Sequence, residues 1–261
     1  MNETLETILL GIIEGITEFL PISSTGHLLI AQHWLGSRSE LFNVVIQVGA
    51  ILGVVVVYWQ RLLDLSLRFR LPQNRDYLYK LGAAFTITAV GGFVAKQLGA
   101  ELPETVAPVA WALIAGGVAI LLIERMLAER KPIEAVTWNV AAWVGLSQIL
   151  AAVFPGTSRS AAAIFAAMLA GLTSRPAAAE FAFLLGIPTM LAAAAYELAK
   201  MLGDEGAGGE DWSALALAFA AAAVVAFASV KWLLIYIQAH RFTPFAWYRI
   251  VFGAALLIAV H

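Results

Sequence analysis

Two short stretches of an otherwise apolar chain hold the side chains able to do chemistry. Glu14 to His27 reads Glu-Gly-Ile-Thr-Glu-Phe-Leu-Pro-Ile-Ser-Ser-Thr-Gly-His, and Pro155 to Ser160 reads Pro-Gly-Thr-Ser-Arg-Ser. Glu14 and Glu18 are four residues apart, which puts both carboxylates on one side of a helix. Their neighbours Gly11, Ile12, Ile13, Ile16, Phe19 and Leu20 are apolar. Two carboxylates held away from bulk water require a cation, an arginine or a shared proton. Ser23, Ser24 and Thr25 follow Pro21 and precede an apolar run from Leu28. They fall at a helix start, where free amides and the positive dipole end collect. Capping would account for Ser23. His27, three residues beyond Ser24, can sit over the same turn and carry a proton. Thr157, Ser158 and Ser160 make a second hydroxyl-rich helix start with Arg159 among them. Amides, dipole and guanidinium together bind phosphate. Arg159 can also pair with Glu14 or Glu18, which would orient it before an anion arrives. A hydroxyl nucleophile, a histidine, two carboxylates and anion-binding helix ends make up the inventory of phosphoryl transfer.

The elements that position these groups follow from composition. Of 261 residues, 61% are hydrophobic and 13% charged, about half the charge of an ordinary soluble domain. The expected class is an all-α integral membrane protein. Its apolar stretches are far longer than the alternating segments of a membrane β-barrel. Full crossings, each needing roughly 20 residues, are expected at 41–60, 78–98, 105–124, 177–199, 212–236 and 245–260. A net charge of −2 offers no field for nucleic acid. The absence of cysteine removes thiolate chemistry and disulfides. The first residues lack the basic region of a cleavable signal peptide.

Residues 7–36 and 135–172 are apolar but cut at the two chemical stretches, where Pro and Gly end one helix and start another. Broken backbone at membrane depth must be buried in protein or line a cavity. Both regions are therefore expected to be re-entrant helix-loop-helix hairpins. With six crossings, this arrangement puts Arg61, Arg68, Arg70, Arg75, Lys80, Arg125, Arg130, Lys131, Arg175, Lys231 and Arg241 on one side. Arg38, Lys96 and Lys200 fall on the other, with Asp204, Glu205, Glu210 and Asp211 in an outer loop at 203–211. The basic side should be cytoplasmic, with both termini and the first hairpin's mouth outside. Glu180 and Arg249 are expected near the cytoplasmic ends of crossings, where long side chains snorkel.

The halves also resemble each other. An offset of 134 positions sets Gly11 on Gly145, Glu14 on Gln148, Pro21 on Pro155, Ser24 on Ser158 and Ile30 on Ile164. The expectation is a single membrane domain of two interlocked inverted repeats, 1–130 and 131–261. Such repeats bring broken helices together near the bilayer midplane.

The Glu14–His27 and Pro155–Ser160 motifs resemble the signatures of the undecaprenyl-diphosphate phosphatase (bacitracin-resistance) family. Phe42-Asn-Val-Val-Ile-Gln-Val-Gly49 and Pro244-Phe-Ala-Trp-Tyr-Arg-Ile250 resemble further family segments. The resemblance implies a phosphatase at the outer face of the bacterial inner membrane, converting undecaprenyl diphosphate to the monophosphate. It implies Glu14, Glu18, Ser24, His27 and Arg159 as catalytic residues. Ser23, Thr25, Gly26, Gly156, Thr157, Ser158 and Ser160 are the expected substrate contacts. Mg²⁺ or Ca²⁺ is the expected cofactor, at Glu14 and Glu18. The expected partners are the lipid substrate, the bilayer and a second copy in a homodimer, with no nucleic acid. Asn43 stands where the family often has Glu, and Ala163 where it often has Thr. A transporter or lipid-carrier flippase, which needs binding groups but no nucleophile, is the rival class. A bacitracin-binding protein without catalysis is a third reading.

Overall fold

A computed structural model describes residues 3–100, 102, 105–203 and 211–259, so the acidic stretch 204–210 and both chain ends lie outside the described residues. The described residues form eleven helices and no strand. The cut in the first apolar region separates α1 (Glu3–Thr17) from α2 (Ser24–Leu35). The second cut separates α7 (Trp138–Val153) from α8 (Arg159–Leu169). At each cut a serine adopts a left-handed backbone, Ser23 at φ 72° and Ser158 at φ 70°. Non-glycine residues rarely hold this conformation, so the surrounding structure must impose it.

Between and after the cuts run α3 (Glu40–Val57), α4 (Trp59–Leu67), α5 (Pro72–Gln97), α6 (Val106–Met126), α9 (Arg175–Gly203), α10 (Trp212–Ala239) and α11 (Thr243–Ala259). Local chemistry sets several starts. The Ser39 hydroxyl accepts from the Phe42 N–H at 3.1 Å at the head of α3, and that of Thr137 accepts from the Val140 N–H at 3.3 Å at the head of α7. The Asp211 carboxylate accepts from the Ser213 and Ala214 amides at α10. Pro72 opens α5, where its missing N–H costs nothing.

Five of these helices, at Glu40–Val57, Pro72–Gln97, Val106–Met126, Arg175–Lys200 and Trp212–Ala239, are long and apolar enough to cross a membrane. The chain is thus a multi-pass, all-helical membrane protein. The sixth expected crossing differs: α11 has 17 residues and falls among the shorter apolar helices. The crossing expected at 41–60 also stops earlier, because the chain turns at Tyr58 into the separate α4.

Small residues set how closely the helices approach. Gly11 and Gly15 of α1 lie against the Ala218 and Ala222 carbonyls of α10, and Gly49 and Gly53 of α3 lie against those of Phe219 and Ala223. On the other side of the molecule, Gly145 of α7 meets the Ala84 carbonyl of α5. Gly117 of α6 meets the Ala246 carbonyl of α11, and Gly253 of α11 meets that of Ala110 in α6. Close backbone approach at small residues is how helices associate in lipid, where no hydrophobic force drives them together. The fold has two polar ends. Asn43 and Gln47, early in α3, face one cavity, while Tyr58 at the end of α3 faces a second, of about 760 Å³. At the second end Glu124, which is buried, accepts from Arg175 and from the Phe242 amide, tying α6, α9 and α11 together.

Candidate active site

Glu18 joins the two helix breaks. One of its carboxylate oxygens accepts from the Ser24 hydroxyl and the other accepts from the Arg159 guanidinium at 3.0 Å. Ser24 is the first residue of α2 and Arg159 the first of α8, so two helix N-termini far apart in sequence converge on one carboxylate. Glu14 lies one turn back on α1, buried, with Oε2 lacking a hydrogen-bond partner. Gly11 and Gly15 bring α1 against α10 on both sides of it. The expected pairing of Arg159 with an acid is thus present, and the acid is Glu18. Ser160 secures the junction by donating to the Leu20 carbonyl at 3.1 Å.

Glu14, Glu18, Ser24 and Arg159, but not Ser160, line a chamber of about 890 Å³ that also includes Ser23, Thr25, Gly156, Ser158, Gln32, Asn43 and Gln47. Asn43, whose side chain accepts from Gln32 at 2.8 Å, faces this chamber. Ala163 is fully buried in the core. Not every expected site residue borders the chamber. Gly26 faces Val109, Leu113 and Phe252 instead. Thr157 offers its carbonyl to Arg249 at 3.0 Å.

His27 also points elsewhere. Its Nδ1 lies 2.7 Å from the Ser23 carbonyl and its Nε2 lies 2.6 Å from the Tyr248 hydroxyl, with the ring stacked on Phe252. A carbonyl only accepts, so Nδ1–H donates to Ser23, and Nε2 of the neutral ring accepts from Tyr248. Both nitrogens are engaged away from Ser24.

Two expectations are corrected. Ser23 stands at the head of α2 but makes no side-chain cap, and its hydroxyl is buried without a partner. At the equivalent place Ser158 does cap, accepting from the Ala161 amide at 3.2 Å. Arg249 does not snorkel. It is 0% exposed and donates to the carbonyls of Pro21, Ala112, Leu113, Gly156 and Thr157 at 3.0–3.3 Å. It thereby holds both interrupted loops against α6. Helix breaks strand backbone carbonyls, and a buried guanidinium with several donors satisfies acceptors from three segments at once. The signal in the sequence was the cost of an arginine within an apolar stretch, which makes function the default reading. Glu180 accepts from Arg61 at 3.0 Å and borders the second cavity. Tyr248, Lys96 and Glu197 are further polar groups of this region that motif reading missed.

Among the described residues no three acidic or histidine side chains cluster as a metal site. Mg²⁺, however, is commonly held by one or two carboxylates plus substrate phosphates. The unpartnered Glu14 Oε2 beside Glu18 fits such a donor set.

Comparison with known proteins places the chain among relatives. The family described as bacitracin resistance protein BacA matches residues 7–255. An undecaprenyl-diphosphatase of Rhizobium etli (strain CIAT 652) is 61% identical over 249 residues, covering 95% of this chain and 94% of the relative. One from Xanthomonas campestris pv. campestris (strain 8004) is 54% identical over 258 residues, covering 99% and 98%. Another, from Xanthomonas oryzae pv. oryzae (strain PXO99A), is 55% identical over 258 residues, covering 99% and 97%. With the match running through both helix breaks and the arginine that secures them, this chain belongs to the bacitracin resistance protein BacA family.

Proposed function

We propose that this protein is an undecaprenyl-diphosphate phosphatase that releases inorganic phosphate, returns the lipid carrier of cell-wall synthesis as its monophosphate, and so confers bacitracin resistance. The observation that carries this reading is the Glu18 carboxylate shared by Ser24 and Arg159. It places a hydroxyl already donating to a base next to an arginine and two helix N-termini.

The terminal phosphate is bound by Arg159 and the free amides at the starts of α2 and α8. Ser24 Oγ forms a bond to the terminal phosphorus as the bond to the bridging oxygen breaks, and undecaprenyl phosphate leaves with that oxygen. Glu18 takes the Ser24 proton. Water then cleaves the phosphoserine, giving phosphate and free Ser24. His27 holds the left-handed turn at Ser23 through the carbonyl, which also sets its tautomer, and Nε2 accepts from Tyr248. Glu14 and Glu18, with phosphate oxygens, would hold Mg²⁺ or Ca²⁺, which supplies charge neutralisation when bound.

The inverted-repeat reading rests on reciprocal contacts. The offset of 134 carries Gly11 to Gly145 and also Ala218 back to Ala84, the two partners those glycines meet. An offset of 136 carries Gly117 to Gly253 and Ala110 to Ala246, again a swapped pair. Each hairpin's first helix packs on a helix of the other half, as interlocked repeats 1–130 and 131–261 require. The chamber lies at the end of α3 opposite Arg61 and Lys80, which border the second cavity. The basic side being cytoplasmic, the hairpins re-enter from the periplasmic face and the chamber opens there, with both termini outside.

The test is phosphate release from a C55 prenyl diphosphate in detergent, with divalent cation present. Wild-type protein should release phosphate. Ser24→Ala should lower kcat by a factor of about 10³ or more, and ³²P from a terminally labelled substrate should be trapped on Ser24 in a brief quench. An active Ser24→Ala enzyme would overturn the covalent route. Wild-type protein that moves the lipid across vesicles without releasing phosphate would put a flippase in its place.

A further inference from the structure

At the chamber wall, away from the Ser24–Glu18–Arg159 junction, Lys96 in the last turn of α5 meets Glu197 of α9 at 2.6 Å, and both side chains line the chamber. The Lys96 ammonium also lies 4.6 Å from the centroid of the Tyr196 ring. We propose that Lys96 is a second phosphate-binding cation of the chamber, held by Glu197 until an entering diphosphate takes its place. This rests on the phosphatase reading and deepens it.

The charges of the described residues around the chamber favour an exchange of this kind. Its lining carries the carboxylates Glu14, Glu18 and Glu197 against the cations Arg159 and Lys96, with the imidazole of His33 beside them. A diphosphate adds further negative charge, which draws a cation from one of these carboxylates to the substrate. The two pairs differ in how readily they can do so. The Glu18 side chain is 3% exposed and also receives the Ser24 hydroxyl. Releasing it completely would strand a dry charge and remove the partner of the nucleophile. The Lys96 and Glu197 side chains are 37% and 29% exposed. A pair this wetted is worth little to the fold, and Glu197 can be rehydrated when displaced. Lysine suits the exchange, being a compact charge on a flexible stem whose donors turn from carboxylate to phosphate. Arg159 then holds the phosphate under attack and Lys96 the phosphate that leaves with the lipid.

The two partners must therefore act with opposite sign, which a purely structural ion pair cannot do. Lys96→Gln should raise KM for a C55 prenyl diphosphate roughly tenfold with a smaller change in kcat. Lys96→Arg should restore most of that loss. Glu197→Gln, which removes the competing carboxylate charge and keeps the ammonium, should lower KM. Raising ionic strength should weaken wild-type binding more steeply than binding to Lys96→Gln. The same variants are to be titrated with a methylene-bridged, non-hydrolysable prenyl diphosphate. There Lys96→Gln should bind more weakly than wild type and Glu197→Gln more tightly. Losses of equal sign at both positions, or no change at Lys96→Gln, would overturn the exchange. Wild-type protein that binds the analogue but releases no phosphate from the diphosphate would remove the phosphatase reading, while the analogue titration would still decide the role of Lys96.

Discussion

At the scale of single residues, the site depends on which polar atoms have partners and which do not. Ser24 and Arg159 share one carboxylate, so replacing either takes one of its two partners from Glu18. Arg249 carries more of the architecture than either. Its guanidinium is surrounded by carbonyls from Ala112 and Leu113 of α6 and from Pro21, Gly156 and Thr157, the last three being acceptors that the helix breaks would otherwise leave stranded in a dry interior. Arg249→Met should destabilise the protein by several kcal/mol, at about 1–3 kcal/mol for each buried carbonyl left unsatisfied, and take phosphate release with it. Arg249→Lys, with one ammonium for three segments, should recover little of either. Thermal unfolding in detergent beside the release assay checks both, and a stable, active Arg249→Met protein would refute the role. The role of Arg249 was not legible in the sequence, because its partners are main-chain oxygens that no side-chain pattern encodes. Glu14, Glu18, Ser24 and Arg159 were legible, since carboxylates, hydroxyls and an arginine beside helix-breaking prolines have few other uses in lipid.

At the scale of elements, the helices are placed by what they lack. Gly11 and Gly145 leave no room for a methyl group against the Ala218 and Ala84 carbonyls, whereas a methyl added at Gly82 on α5 meets nothing within 4 Å. Gly11→Ala and Gly145→Ala should each lower stability by about 1–3 kcal/mol through overpacking. Gly82→Ala should raise it by about 0.5–1 kcal/mol. Melting temperatures of the three variants in one detergent test this, and equal shifts would refute the close-approach reading. The helix breaks were visible as Pro-containing interruptions of apolar stretches, but their internal geometry was not. Ser23 and Ser158 both adopt positive φ, yet only Ser158 caps its helix. The Ser23 hydroxyl is left buried without a partner, an outcome local propensity would not choose and tertiary packing imposes.

For the whole molecule, the two cavities at opposite ends of α3 give the protein a direction. One is built around the helix breaks, and the other is bordered by Arg61, Lys80 and Glu180. Orientation can be read directly, because the chain has no cysteine and single thiols can be added at will. Ser37→Cys, at the rim of the chamber, should react with a membrane-impermeant maleimide in intact cells. Arg130→Cys should react only after permeabilisation. The reverse pattern would invert the assignment of inside and outside and remove the basis for a periplasmic site.

The sequence by itself determined the class of protein and the chemistry at hand. Apolar stretches too long for anything but helices in lipid, cut twice by Pro and Gly beside acids and hydroxyls, leave few alternatives. It did not determine which acid meets Arg159, that His27 turns away from Ser24, or that Arg249 secures both breaks. Those outcomes depend on groups more than ninety positions apart being brought within 3.3 Å. Only the packing of α1 on α10, α7 on α5 and α6 on α11, set by glycines against carbonyls, fixes which of those groups share a buried space.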